Sequence, residues 1–134
     1  MKRIHITCPY CHSPALLRPA SVVHGDRTSD PNGKLYVCAR YPACDSYVGA
    51  HRGSLLPMGT LANKALRRKR MEAHTALQRV AASGIMTKKQ MYRCIQAEFG
   101  LPAEEAHIGK FSELRCQQVI DLCSRFFPSF ARAA

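Results

Sequence analysis

The amino-acid sequence predicts an α+β chain: a small N-terminal module of short antiparallel strands pinned by a metal, a long basic helix, and a small helical C-terminal region. Three observations carry this expectation. Four of the seven cysteines fall as two close pairs in the first third of the 134 residues. The segment after them sheds its Cys, Pro, Gly and Tyr content and takes up a helical period. The remainder holds two further helix-start signals, each followed by an apolar stripe.

The first expected domain is residues 1–56. A chain of about fifty residues rarely holds a fold without a metal or disulfides. Cys8-Pro9-Tyr10-Cys11 is a C-x2-C pair, and Cys38 to Cys44 is a C-x5-C pair that follows after 26 residues. Two tight cysteine turns can each give two thiolates to one tetrahedral ion, with backbone amides aimed at the sulfurs. Four thiolates leave no open coordination position, which points to a structural metal rather than a catalytic one. The expected cofactor is one structural Zn2+ ion on Cys8, Cys11, Cys38 and Cys44, in a zinc ribbon. The ligand set alone also fits an iron–sulfur centre. His12 and His51 lie near the pairs, but the shell is complete without them. Between the pairs, Lys34–Cys38 reads as a strand, Ser46–Gly49 as another, and His24–Gly33 as a hairpin tip made of turn residues.

Residues 57–84 are the expected junction and basic helix. Thr60 is the candidate N-cap of a helix from about Leu61 to Ala82, stopped by Ser83-Gly84. Its stripe is Ala62, Leu66, Ala73, Leu77 and Val80. Lys64, Arg67 and Arg68 project from the other side, with Lys69 and Arg70 toward the edges.

Residues 85–134 are the expected helical C-terminal region. Thr87-Lys88-Lys89-Gln90 matches a capping box. The helix it opens places Met91, Cys94, Ile95 and Phe99 on one face and stops at Gly100. Pro102-Ala103-Glu104-Glu105 reads as a first helical turn. Ser112 is the candidate cap of a last helix with the stripe Cys116, Val119, Ile120, Cys123 and Phe127. Cys94, Cys116 and Cys123 therefore read as buried thiols. His107 reads as a helix-end residue.

The net charge is +11, from 20 Lys and Arg against 9 Asp and Glu. Such a balance favours an anionic partner, nucleic acid above all. No apolar run reaches membrane-span length, and the first residues lack the apolar core of an export signal. No membrane partner and a cytoplasmic location are expected, with the cysteines as ligands or buried thiols rather than a disulfide framework.

The stretches C-P-Y-C-H-S-P-A-L-L-R-P and G-K-L-Y-V-C-A-R-Y-P-A-C-D-S-Y-V-G resemble the C-terminal zinc ribbons of bacterial type IA DNA topoisomerases over about the first fifty residues. Those ribbons read as a C-P-x-C-G knuckle, a strand, then a second knuckle. His12 stands where that pattern has glycine. Nearly the whole chain is similar to small zinc-finger-containing proteins of bacteriophages and prophages, through Y-V-G-A-H-R-G-S-L-L-P-M-G-T-L-A-N and H-I-G-K-F-S-E-L-R-C. The topoisomerase resemblance implies the same four cysteine ligands, Tyr36, Tyr41 and Tyr47 on strand faces, and binding of single-stranded DNA.

The residues allow that job independently. Tyr36, Tyr41 and Tyr47 offer stacking faces for bases. Arg18, Lys34, Arg40 and Arg52 lie around them as phosphate partners, and Lys64, Arg67, Arg68, Lys69 and Arg70 add five positive charges in seven residues. The expected function is a non-catalytic phage or prophage accessory protein that binds nucleic acid, DNA first. The alternative is an interaction module that docks on a host transcription, replication or defence complex. The scattered acids form no nucleophile–base pair, so an enzyme is not expected.

Overall fold

The computed structural model describes residues 4–127. Residues 1–3 and 128–134, the outer ends of the first and last expected domains, lie outside the described residues. The chain forms two compact units, residues 1–64 and 65–134.

In the first unit, β1 (Ala15–Pro19), β2 (Lys34–Cys38) and β3 (Tyr47–Gly49) form an antiparallel sheet in that spatial order. The expected strands are present, with Ser46 just outside the second of them. The connection from β1 to β2 is more ordered than a plain hairpin tip. It holds a helical turn, α1 (Ser21–His24), and a 3-10 turn over Gly25–Arg27.

Register decides where each side chain goes, because neighbouring residues on a strand face opposite ways. Leu17, Tyr36 and Val48 stand in one cross-strand row, and Leu16, Val37 and Tyr47 in the next. Tyr36 and Cys38 lie in one small core with Cys8, Ala50 and Leu61. Leu35 and Val37 lie in another with Ala20, flanked by Tyr41 and Tyr47. β2 is thus buried on both faces, which explains why Lys-Leu-Tyr-Val-Cys shows no polar–apolar alternation.

The second unit takes its core from three helices: α2 (Lys64–Ala82), α3 (Lys88–Phe99) and α4 (Glu113–Ser124). α2 begins at Lys64, not near Leu61. Ala62 exchanges both backbone bonds with Tyr47, at 3.0 and 3.2 Å, and Leu61 is buried in the ribbon. Those residues complete the first unit, so Thr60 does not open the helix. Gly84, at φ 80°, follows its end. The Thr87–Gln90 capping box is formed in both directions. Gly100 closes α3 in the left-handed conformation, φ 63°. Ser112 caps α4 by accepting from the Arg115 N–H. Pro102–Glu105 gives only a 3-10 turn, over Ala103–Glu105.

Ala73, Leu77, Val80, Met91, Ile95, Val119, Cys116 and Cys123 meet in one core with Ile108 and Phe111. Cys94 is half-buried, its Sγ 3.7 Å from the Met86 sulfur. His107 is exposed and makes no side-chain cap bond to the 3-10 turn that follows it. Its ring lies tilted beside Tyr92. Among the described residues, no helix is long and apolar enough to cross a membrane.

Candidate metal centre

Each cysteine of the N-terminal set is placed by a short local device. Cys8 and Cys11 sit on a tight turn closed by the His12 N–H on the Cys8 carbonyl, 2.9 Å, and the Cys8 N–H on the Ser13 carbonyl, 2.8 Å. Cys38 ends β2. Cys44 closes the second turn, where its N–H reaches the Arg40 carbonyl at 3.1 Å. Sheet pairing of Ala15 with Cys38 brings the two turns together.

The four Sγ atoms all lie within 4.8 Å of one another. Cys8 and Cys44 are 3.6 Å apart at sulfur, and Cys11 and Cys38 are 3.4 Å apart. A disulfide would require about 2.05 Å. Tetrahedral zinc, with Zn–S bonds of about 2.3 Å, sets sulfurs about 3.8 Å apart. The spacing is that of co-ligands, and the set fits one zinc ion. Among the described residues, these four form the one His, Cys, Asp and Glu cluster with such geometry. His12 and His51 are outside it.

The surroundings favour thiolate at the first turn. Burial pushes the Cys8 thiol up, but the Ser46 hydroxyl, the Cys11 and Tyr10 N–H groups and the Cys44 sulfur together bring it below its usual range. The Ser13 hydroxyl and N–H, followed by weaker contributions from neighbouring sulfurs, lower Cys11 to about 6 against the cost of burial. Cys38 goes the other way: burial pushes it up to about 12, despite the Arg40 N–H. Binding Zn2+ would displace the protons that remain, since only thiolates ligate.

Ser46 was not legible as a site residue, yet it is fully buried, with its Oγ 3.1 Å from Cys8 Sγ and 3.6 Å from Cys44 Sγ. Toward a thiolate, which has no proton to give, the hydroxyl can only donate, and such a contact fixes ligand direction. A signal existed: Cys11-His12-Ser13 and Cys44-Asp45-Ser46 are the same Cys-x-Ser pattern, one per turn. His12 holds a left-handed conformation, φ 64°. Histidine tolerates that region better than most residues other than glycine.

The residues expected at a nucleic-acid face divide. Arg18, Lys34, Arg40, Lys64 and Arg68 are exposed. Arg67 is half-exposed. Arg52 is exposed but engaged, with Nε and Nη2 both donating to Asp30 Oδ2 at 3.0 and 2.8 Å. Lys69 pairs with Glu72 at 3.4 Å.

Two of the expected contacts are corrected. Tyr36 is only 5% exposed, and its hydroxyl donates to the Leu55 carbonyl, so it braces the ribbon and presents no stacking face. Arg70 is only 8% exposed, and its Nε donates to the Phe111 carbonyl at 3.2 Å. Its burial follows from spacing: 66, 70, 73, 77 and 80 step by four and three, so Arg70 occupies a core position on α2. Tyr41 and Tyr47 are half-buried beside the core on the other sheet face from Tyr36, with Tyr47 edge-on to His24 at 5.7 Å. The three tyrosines therefore make no common platform.

No curated protein and no solved structure matches the chain. The model of one family, described as a zinc-finger-containing domain, matches residues 4–126. With its four sulfurs set for one zinc ion and nearly its whole length matched, the chain belongs to that zinc-finger-containing family.

Proposed function

We propose that this zinc-finger protein binds nucleic acid, chiefly through phosphate contacts, and that it carries out no reaction of its own. The observation that carries the reading is a set of exposed cations that the protein does not neutralise. Arg18, Lys34 and Arg40 sit on the unit that the metal organises, and none has an ion-pair partner among the described residues. Exposed Lys64 and Arg68 add to them at the start of α2. Unpaired surface cations gain by releasing counterions from a phosphate backbone. The closed thiolate shell suits a zinc ion that holds those cations in place and takes no part in chemistry. DNA is the expected polymer, and an accessory role in a phage or prophage the expected setting; the sequence resemblances support both.

Titration of the zinc-loaded protein against single- and double-stranded oligonucleotides at several salt concentrations tests the reading. Micromolar or tighter binding with a steep negative slope of log affinity on log salt is expected. Absent or salt-insensitive binding would reject it. A second reading, docking on a host protein complex, draws support from Met71 and Leu114, which are 69% and 70% exposed on α2 and α4. Recovery of one protein partner after nuclease treatment would favour it.

A further inference from the structure

An opening in the ribbon unit, with none of the four ligand cysteines in its lining, lies between the β1–β2 connection and the loop after β3. It is an open cleft of about 810 Å³, within the range of small-ligand sites. We infer that this cleft is a nucleotide site, with the base against its apolar floor and the phosphate on Lys34 and His51. The inference rests on the nucleic-acid reading above and places one nucleotide of the strand.

The floor is made by Ala20, Leu35 and Ala50, all buried, with Leu55 and Met58 alongside. Met58 is about half exposed and lies against β3 where residue 49 is glycine; a Cβ there would stand 3.1 Å from the Met58 sulfur. An apolar floor of this kind suits the flat face of a base.

The rim is polar, with Lys34 as its one unpaired cation among the described residues. His24, Lys34, His51 and Arg52 border the cleft, against the single acid Asp30. Asp30 is already engaged by two donors of Arg52 and by the Asn32 N–H. The side chains of Lys34 and His51 have no hydrogen-bond or ion-pair partner among the described residues. Lys34 supplies a charge and His51 a ring N–H, both donors suited to phosphate.

The walls are built rather than loose. The Ala50 N–H bonds the Lys34 carbonyl at 3.1 Å, and the His51 N–H bonds the Leu56 carbonyl at 2.8 Å. The Met58 N–H bonds the Gly49 carbonyl at 2.8 Å. Leu55 is held at φ 59°, a region a bulky side chain rarely adopts. Its carbonyl is the one that accepts from Tyr36, so the tyrosine expected to stack on bases instead anchors the loop that bears His51.

The test uses the full, zinc-loaded chain with two probes, adenosine monophosphate and a short labelled oligothymidylate. Backbone and imidazole NMR shifts locate each probe, and anisotropy measures the oligonucleotide's affinity. The site predicts shifts concentrated at His24, Lys34, Ala50 and His51. Lys34→Gln/His51→Gln should weaken both probes by about tenfold or more, through loss of both phosphate contacts. Arg93→Gln on α3, exposed and outside both the cleft and the proposed nucleic-acid contacts, should leave the monophosphate unchanged. Both rim side chains are exposed, and zinc content checks that the double variant stays folded. Cleft shifts with the monophosphate but no oligonucleotide binding would keep the site and reject the nucleic-acid reading. Oligonucleotide binding that the double variant leaves intact, with shifts elsewhere, would overturn the site and keep that reading. No shifts with either probe would overturn both.

Discussion

The ribbon unit and the helical unit are nearly equal in length, yet they are held together by different means. Among the described residues, the helical unit buries twelve side chains in one continuous apolar cluster. The ribbon's two apolar clusters hold five buried side chains and three, and two of the five are the metal ligands Cys8 and Cys38. A fully buried aliphatic or aromatic side chain contributes about 1.5–3 kcal/mol. The helical unit thus has the larger apolar core. The ribbon's two cores are thin, and binding of a structural zinc ion, worth about 10–16 kcal/mol in isolated finger peptides, is the largest single stabilising term open to it. Cysteine means opposite things in the two units: a ligand in the first, a small apolar filler in the second.

Cysteine substitutions separate the two roles most sharply. Cys8→Ser should abolish stoichiometric zinc and unfold the ribbon. Cys123→Ala, in the helical core, should keep one zinc per chain and cost about 1–2 kcal/mol in denaturant unfolding. Zinc analysis beside a denaturation curve reads both. Equal zinc loss from the two variants would erase the distinction.

Next in size is Leu77→Ala. Leu77 is almost wholly buried in the helical cluster, so the change should cost about 2–5 kcal/mol there and leave zinc content unaltered. Ser46→Ala removes the buried donor to the Cys8 sulfur. It should weaken zinc binding about 10- to 100-fold in a chelator competition, without affecting unfolding of the helices. The smallest effect is at His12. His12→Gly relieves a left-handed conformation but adds freedom to the unfolded chain, so a gain of about 0.5–1 kcal/mol in ribbon stability is expected from thermal melts of the zinc-loaded protein.

How far the sequence spoke for the structure follows the same division between local and long-range causes. The four ligands, the capping box at Thr87, the Ser112 cap and the Gly100 stop depend on residues a few positions apart, and each stands where the pattern puts it. Tyr36 depended on which sheet face bears the metal. That is set by pairing of Leu17 with Tyr36, and a strand buried on both sides has no alternation to announce it. The start of α2 depended on Ala62 finding Tyr47, fifteen positions away. Arg70 and Ser46 are different cases. The four-three spacing and the repeated Cys-x-Ser pattern were present, but residue type hid them: an arginine reads as surface, and a serine beside a cysteine reads as turn. The cleft bordered by Lys34 and His51 had no local signature, because its two sides come from loops on either side of β2 and β3.

The central claim is that the metal holds one unit and packing holds the other. Chelation followed by hydrogen exchange, residue by residue, tests it most directly. The account predicts that a strong chelator strips protection from Leu35 to Cys38 and Tyr47 to Gly49, while Leu77, Ile95 and Val119 keep theirs. Protection retained across the sheet after the zinc is gone, or lost from both units together, would contradict it.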